Sequence, residues 1–334
     1  MSLRAAFGGW WPRAIAALVV AYVLGVLALM LWWDHAPAHI DVAAATQARA
    51  KAHGTAVVTG STTAATLMVS AEALLDKRGG YLSNDRFPPG VLMDNVPNWE
   101  FGVLTATRDL ARELRNTFAR SQSQSEEDAD LREADPLFSS PNDRWLLPSS
   151  EGQYRKAIGY VDGYFVRLGR NDPNGAQFFA RADNLANYLD LVSNRLGSLS
   201  QRLSASVGQL RLEGDAPVDP AAPAPATTAP QMVKTPWTKI DDVFYESRGY
   251  TWALLEQLQA FETDFGPTLA RKGAQVSLKQ IIRELEEAQK PLHSPMILNG
   301  SPFGFFANHS LVMANYISRA NAAVIDLREL LRRG

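Results

Sequence analysis

The chain has 334 residues, with 33 basic and 35 acidic side chains and no cysteine. The near-cancelling charge argues against a nucleic-acid partner, which would favour a basic face, and the missing thiols exclude disulfides, thiolate zinc sites and iron–sulfur clusters. A hydrophobic fraction of 46% is ordinary for a globular protein, and five His residues without HExxH spacing lead us to expect no metal and no cofactor.

Residues Ala14 to Trp33, AIAALVVAYVLGVLALMLWW, run for twenty positions without a charge. A helix rises about 1.5 Å per residue, so this segment reaches about 30 Å, the hydrocarbon thickness of a bilayer. Trp10 and Trp11 flank one side and Trp32 and Trp33 the other, at the level where indole rings favour the headgroups. Arg4 and Arg13 precede the run, and Asp34 and Asp41 follow it. The positive-inside rule therefore puts residues 1–13 in the cytoplasm and the bulk outside. A buried core helix is a competing reading, but such helices rarely carry so long an uncharged run. A cleaved signal peptide is another, with Ala36-Pro37-Ala38 as a faint cleavage site, yet the run exceeds the usual ~7–15 apolar residues. An uncleaved anchor at 14–33, contacting the lipid bilayer, is the favoured reading.

Residues 34–60 are Ala-rich with scattered charges and read as a stalk, with one short strand at Thr55 to Thr59. From Ser61 the pattern turns helical through Leu67, Leu74 and Leu75 until Gly79-Gly80 stops it. Residues 81–97 hold three prolines and read as loop, and a second helix is predicted from Asn98 to Arg120. The acidic run Ser121 to Asp130 reads as a solvated loop. Ser150-Glu151-Gly152-Gln153 matches a capping box opening a helix toward Leu168, and Asn171 to Gly175 is a turn.

Phe178, Ala182, Leu185, Leu189, Val192, Leu196, Leu199 and Leu203 alternate by four and three, a heptad seam of about 38 Å. Its partner is either a helix of the same chain, which short turns between long helices favour, or a second copy, which would make a homo-oligomer. Residues 214–230 are a Pro/Ala linker between a first helical half, 61–213, and a second, 231–334, which packs with it. In the second half, Ile240 to Leu269 is helical along Leu254, Leu258, Phe261 and Phe265. Ser277 to Gln280 matches another capping box before a helix whose Glu284, Glu286 and Glu287 mark the wet side. Residues 290–307 are a loop, and a last helix, Asn308 to Arg333, carries a second seam through Met313, Ile317, Ala320, Val324, Leu327 and Leu331. The expected fold is all-α: one N-terminal transmembrane helix, then an extracytoplasmic bundle of long helices with heptad seams.

The segments GGYLSNDRFPPGVLMDNVPNWEFG, RSQSQS, ARADNLANYLDLVSNRLGSLSQRLSASVG, IDDVFYESRGYTWALL and SPMILNGSPFGFFANHSLVMANYISRANAAVIDLR resemble the proteobacterial family known as Domain of Unknown Function 2333. The resemblance covers nearly the whole chain. It implies a Gram-negative inner-membrane protein with a large extracytoplasmic helical region, and it brings no activity or catalytic residue to transfer.

Three constellations are candidate sites. In the loop around Asn84, Asp85, Arg86, Asp94, Asn95, Trp99 and Glu100, the three carboxylates could act as general acid and base if their pKa values were pushed apart, but Asp and Asn ahead of helices are usually caps. Asn299, Gly300, Phe303, Phe305, Phe306, Asn308 and His309 form a loop running into a helix N-terminus, which could hold an anion while His309 moved protons. The plainer reading has Asn308 as a cap and the Phe side chains filling the gap between helices. Asn308, Asn315, Arg319 and Asp326 share one helix face, opposite the second seam, and mark either plain solvent exposure or a ligand groove. No Gly-x-Ser-x-Gly elbow, P-loop or dinucleotide fingerprint is present. The favoured reading is a non-catalytic scaffold or binding protein of the cell envelope with an envelope protein as partner. An envelope glycan or peptide hydrolase using the 85–100 carboxylates, with His309 in the same cleft, is a second. Lipid or small-ligand binding between helices is a third, and it needs a cavity of roughly 300 Å³ or more.

Overall fold

Twenty-four residues, Trp10–Trp33, form helix α1, and none of them is buried against the rest of the protein. The computed structural model describes residues 10–120, 126–170, 175–211, 231–294 and 296–333. The expected turn at Asn171 to Gly175 falls mostly outside these residues, and the Pro/Ala linker falls wholly outside them. The helices after α1 are α2 (Val42–His53), α3 (Ser61–Asp76), α4 (Asn95–Glu113), α5 (Ala129–Phe138), α6 (Ser150–Gly169), α7 (Ala182–Ser204), α8 (Ile240–Asp264), α9 (Gly266–Arg271), α10 (Gln275–Ala288) and α11 (His309–Arg332). Two three-residue strands, β1 (Gln209–Arg211) and β2 (Gln231–Val233), pair antiparallel between α7 and α8. The protein is thus all-α, with a single helix long and apolar enough to span a membrane among the described residues.

The segment read as a stalk contains α2. Asp41 caps it by accepting from Ala44 N–H at 2.9 Å, and Gly54 ends it in the left-handed region at φ 62°. Val42, Thr46 and Ala50, each four residues apart, are its buried stripe, and Arg49 ties it to Glu72 of α3 and Asp162 of α6. No strand forms at 55–59, where Ala56 N–H instead donates to Gly169 C=O. The acidic run is no solvated loop in its described part. Asp128 caps α5, and Arg167 of α6 grips both Asp128 and Asp130.

Both capping-box matches miss the observed caps. Ser149, not Ser150, caps α6 through Gly152 N–H, while the buried Ser150 hydroxyl donates to Pro141 C=O. Helix α10 starts at Gln275, so Ser277 lies inside it. Glu284 is not on the wet side: it is buried and paired with Arg319 of α11 at 2.6 Å.

Helix α8 is the central element. It is buried on nearly all sides and packs against α4, α3, α10 and α7. It meets α4 most closely at two glycines: a Cβ on Gly102 would sit 2.1 Å from Glu246 O, and one on Gly249 would sit 2.0 Å from Trp99 O. The seam of α7 is filled by the seam of α11. The pair runs antiparallel, with Ser200 against Ala314 and Ser318, and Asp190 against Arg328. Phe118, in the π-turn ending α4, gathers Phe178, Tyr188, Phe261 and Phe265 around it.

The up-and-down helices give the body two ends. Contacts of Thr63 with Asp264, Ala56 with Gly169, Thr268 with Ala180 and Lys272 with Arg333 mark the far end. At the near end, Tyr81 bonds Asn142, Arg202 pairs with Glu246, and Arg248 reaches Gln289. Helix α1 joins at the near end, where Trp33 covers Gly79 and Met30 and Leu31 line a cleft with Leu92, Met93 and Asp94.

Candidate functional site

All three candidate constellations touch the near end, but no cleft found among the described residues brings them together. Glu100, in the second turn of α4, is fully buried. Its Oε1 accepts from Lys77 Nζ and from Leu82 N–H at 2.8 Å, and its Oε2 accepts from Ser83 N–H at 2.8 Å and from the Ser83 hydroxyl. Lys77 also donates to the carbonyls of Leu74 and Gly80. This carboxylate closes the α3–α4 loop onto both helices and leaves no oxygen free for a substrate. Asn84 likewise bridges to Arg144 C=O and Glu151.

Asp85 lies half-buried against Gly90, where a Cβ would come within 1.9 Å of its Oδ2. Burial, reinforced by Glu100 and Glu151, holds its carboxyl above the usual range, with Lys77 pulling the other way. Asp94 is exposed at the N-cap position of α4 without a side-chain capping bond, and it faces the last turn of α1.

His309 opens α11 on the other side of Arg248. Its Nδ1 accepts from Leu298 N–H at 3.0 Å, and burial holds the imidazole below its ordinary 6.5, so it is neutral at physiological pH. Asn308 is the helix cap: its Oδ1 accepts from Leu311 N–H and its Nδ2 donates to Gly300 C=O. Asn299 pairs with Asn308 in a β-bridge and accepts from the Ser310 hydroxyl. These bonds close 299–308 into a hairpin and occupy the groups that could have held an anion. The Phe side chains do not fill an interhelical gap: Phe303, Phe305 and Phe306 point into solvent. In the polar stripe, Asn315 and Asp326 are exposed, and Arg319, half-exposed, reaches across to Glu284.

A cavity lined by His309 lies between α8, α10 and α11. It has a volume of about 230 Å³ and is lined by Phe244, Arg248, Lys290, Leu292, His309, Val312, Met313 and Tyr316, with none of Asp85, Asp94 or Glu100. That is smaller than the ~300–1,000 Å³ of ordinary small-molecule pockets. Arg248 also lines a second, smaller cleft with Asp34, His35, Asn95, Trp99 and Tyr245. It is the residue that sequence reasoning passed over. Its guanidinium donates to the carbonyls of Gln289 and Lys290 at 2.8 and 2.9 Å, caps the end of α10, and is pulled below its usual pKa by burial. One signal was available: Arg248 is the single basic residue in α8, a helix that carries six acidic ones. No group of three or more potential metal ligands occurs among the described residues.

Neither the curated proteins nor the solved structures contain a match to the chain. A family of uncharacterized proteins conserved in bacteria, Domain of Unknown Function 2333, matches residues 5–334. That span takes in the α1 helix, the central α8 and the α7–α11 pair alike, and the chain belongs to this family.

Proposed function

We propose that this protein is a single-pass inner-membrane protein whose helical body stands in the periplasm and serves as a non-catalytic scaffold or binding module of the cell envelope. The observation that carries the reading is α1: a helix with no buried residue, uncharged from Ala14 to Trp33, that runs into the body at Trp33 and Asp34. An apolar surface of that length is stable only in lipid. Arg13 ahead of the uncharged run and Asp34 and Asp41 behind it favour that direction of insertion. The absence of catalysis is supported by Glu100 and Asn308, whose polar atoms are taken up by structural bonds. A partner protein is then the natural object of binding.

The chain has no native cysteine, so topology can be read from single-cysteine variants in cells. Val276→Cys is expected to react with a membrane-impermeant maleimide in intact spheroplasts, and Ser2→Cys only after lysis. The reverse pattern, or a soluble periplasmic product that has lost α1, overturns the anchored reading. Peptidoglycan cleavage by the purified protein that Glu100→Gln or Asp94→Asn abolishes overturns the non-catalytic one.

A further inference from the structure

The near end of the body carries nearly all of its exposed apolar bulk. In the α3–α4 loop Phe87 and Leu92 are exposed, and in the α5–α6 loop Trp145 and Leu147. Trp237, just before α8, is exposed as well. The α10–α11 hairpin adds Phe303 and Phe305 at 101% and 106% relative exposure, and Phe306 beside them. Outside these loops and Trp237, among the described residues of the body, the large apolar side chains that are exposed are Val57, Tyr160, Val233, Val276 and Val312.

These loops are separate in sequence and lie at one end of the bundle. Arg86 donates to Asp143 C=O and Asn84 to Arg144 C=O, which joins the first two loops. Arg248 of α8 bonds the end of α10 at the base of the hairpin. Soluble proteins seldom gather so much apolar surface on one face without something covering it.

The cover is indicated by α1. Leu92 and Met93 share a cleft with Met30 and Leu31, in the last turn of the apolar helix and about one helical turn inside its Trp33 end. A loop at that level lies at the bilayer boundary wherever α1 crosses it. We infer that the near end of the body is a second membrane contact: the three loops and Trp237 insert their apolar side chains into the headgroup–acyl boundary of the leaflet from which α1 emerges, and so hold the bundle upright on the bilayer. Aromatic side chains suit that depth, and one-sided insertion of this kind is what monotopic proteins use. The inference rests on α1 being a membrane anchor.

The test reconstitutes the full-length chain in phosphatidylcholine–phosphatidylglycerol vesicles with one environment-sensitive fluorophore per variant, at Phe305→Cys, Leu147→Cys, Val276→Cys or Gly25→Cys. The Phe305 and Leu147 side chains contact little, so their replacement leaves the fold intact. Labels at 305 and 147 are expected to be quenched several-fold more strongly by lipid-borne nitroxides than the label at 276, and several-fold less by aqueous iodide. If the labels at 305 and 147 behave like that at 276 while the label at 25 is buried in lipid, the second contact is overturned and the anchor stands. If the label at 25 is itself open to iodide, the anchor reading falls and the inference with it. Protection from iodide at 305 without quenching from lipid indicates self-association and also overturns the inference.

Discussion

Glu100 and Lys77 lose essentially all contact with water, and each is matched by several bonds rather than by one partner. Removing one side of such a pair leaves the other charge buried without compensation, at a cost of about 3–5 kcal/mol. Glu100→Ala is therefore expected to destabilise the fold by about that amount in chemical denaturation, far more than Asp94→Ala, whose side chain is exposed. Equal effects would contradict the assignment. Glu113 is the opposite case. It is largely buried, its Oε1 has no partner, and burial raises its carboxyl above the usual 4.5. A carboxyl whose folded pKa is raised favours folding when protonated. The ionised form then weighs against the fold once pH climbs through the raised value, and the effect vanishes below the unfolded value. Glu113→Gln should raise the thermal midpoint at neutral pH and leave it unchanged in acid below that value. A pH-independent change would argue against burial as the cause. At this scale the sequence showed where charges stood but not which were buried. Glu284 sits in a run of acids that looks wet, and only α11 laid over α10 encloses it.

Helices α4 and α8 approach until backbone touches backbone at Gly102 and Gly249. A methyl group at either position would collide with a carbonyl that cannot rotate away. Gly249→Ala is expected to cost about 1–3 kcal/mol, although in an isolated helix the same change would stabilise. A rise in thermal midpoint would show that the two helices are free to move apart. The α7–α11 contact is of another kind, built from long apolar rows. Leu196, fully buried at its centre, should cost about 2–5 kcal/mol when cut to Ala. Because the seam is filled within one chain, sedimentation should show that this variant loses stability with no change in its association state. A shift in oligomeric mass would mean that the seam is shared between copies. Both seams were legible from their four-three spacing, and Asn308 from its place before a helix. The caps at Ser149 and Asp128 were missed because several Ser and Asp residues compete locally, and only neighbouring elements choose among them.

Across the whole molecule, the up-and-down order of the helices gathers the α3–α4, α5–α6 and α10–α11 loops at the end where α1 joins, and leaves the other end nearly bare of exposed apolar side chains. The candidate residues of the 85–100 and 299–309 loops share that end, and no cavity found among the described residues holds both. Arg248 lies between them, bonded to the carbonyls that finish α10. The segment after α1 is likewise drawn in: His39 and Ile40 N–H both meet the buried Glu256 of α8, 217 and 216 residues away. The segment read as a stalk is a strap that ties the end of α1 to the body.

By itself the sequence determined the apolar helix, the all-α class, the positions of most helices and the two seams. Each of these follows from a property of neighbouring residues: an unbroken apolar run, or apolar positions repeating every three and four. Which seam met which, which carboxylates were buried and where the loops gathered depended on contacts between segments far apart in the chain. Periodicity identifies an apolar face but not what it packs against, and a charge is buried only by what folds over it. The tertiary structure decided these points, and it turned Phe303, Phe305 and Phe306 from expected interhelical packing into exposed surface at the end where α1 joins.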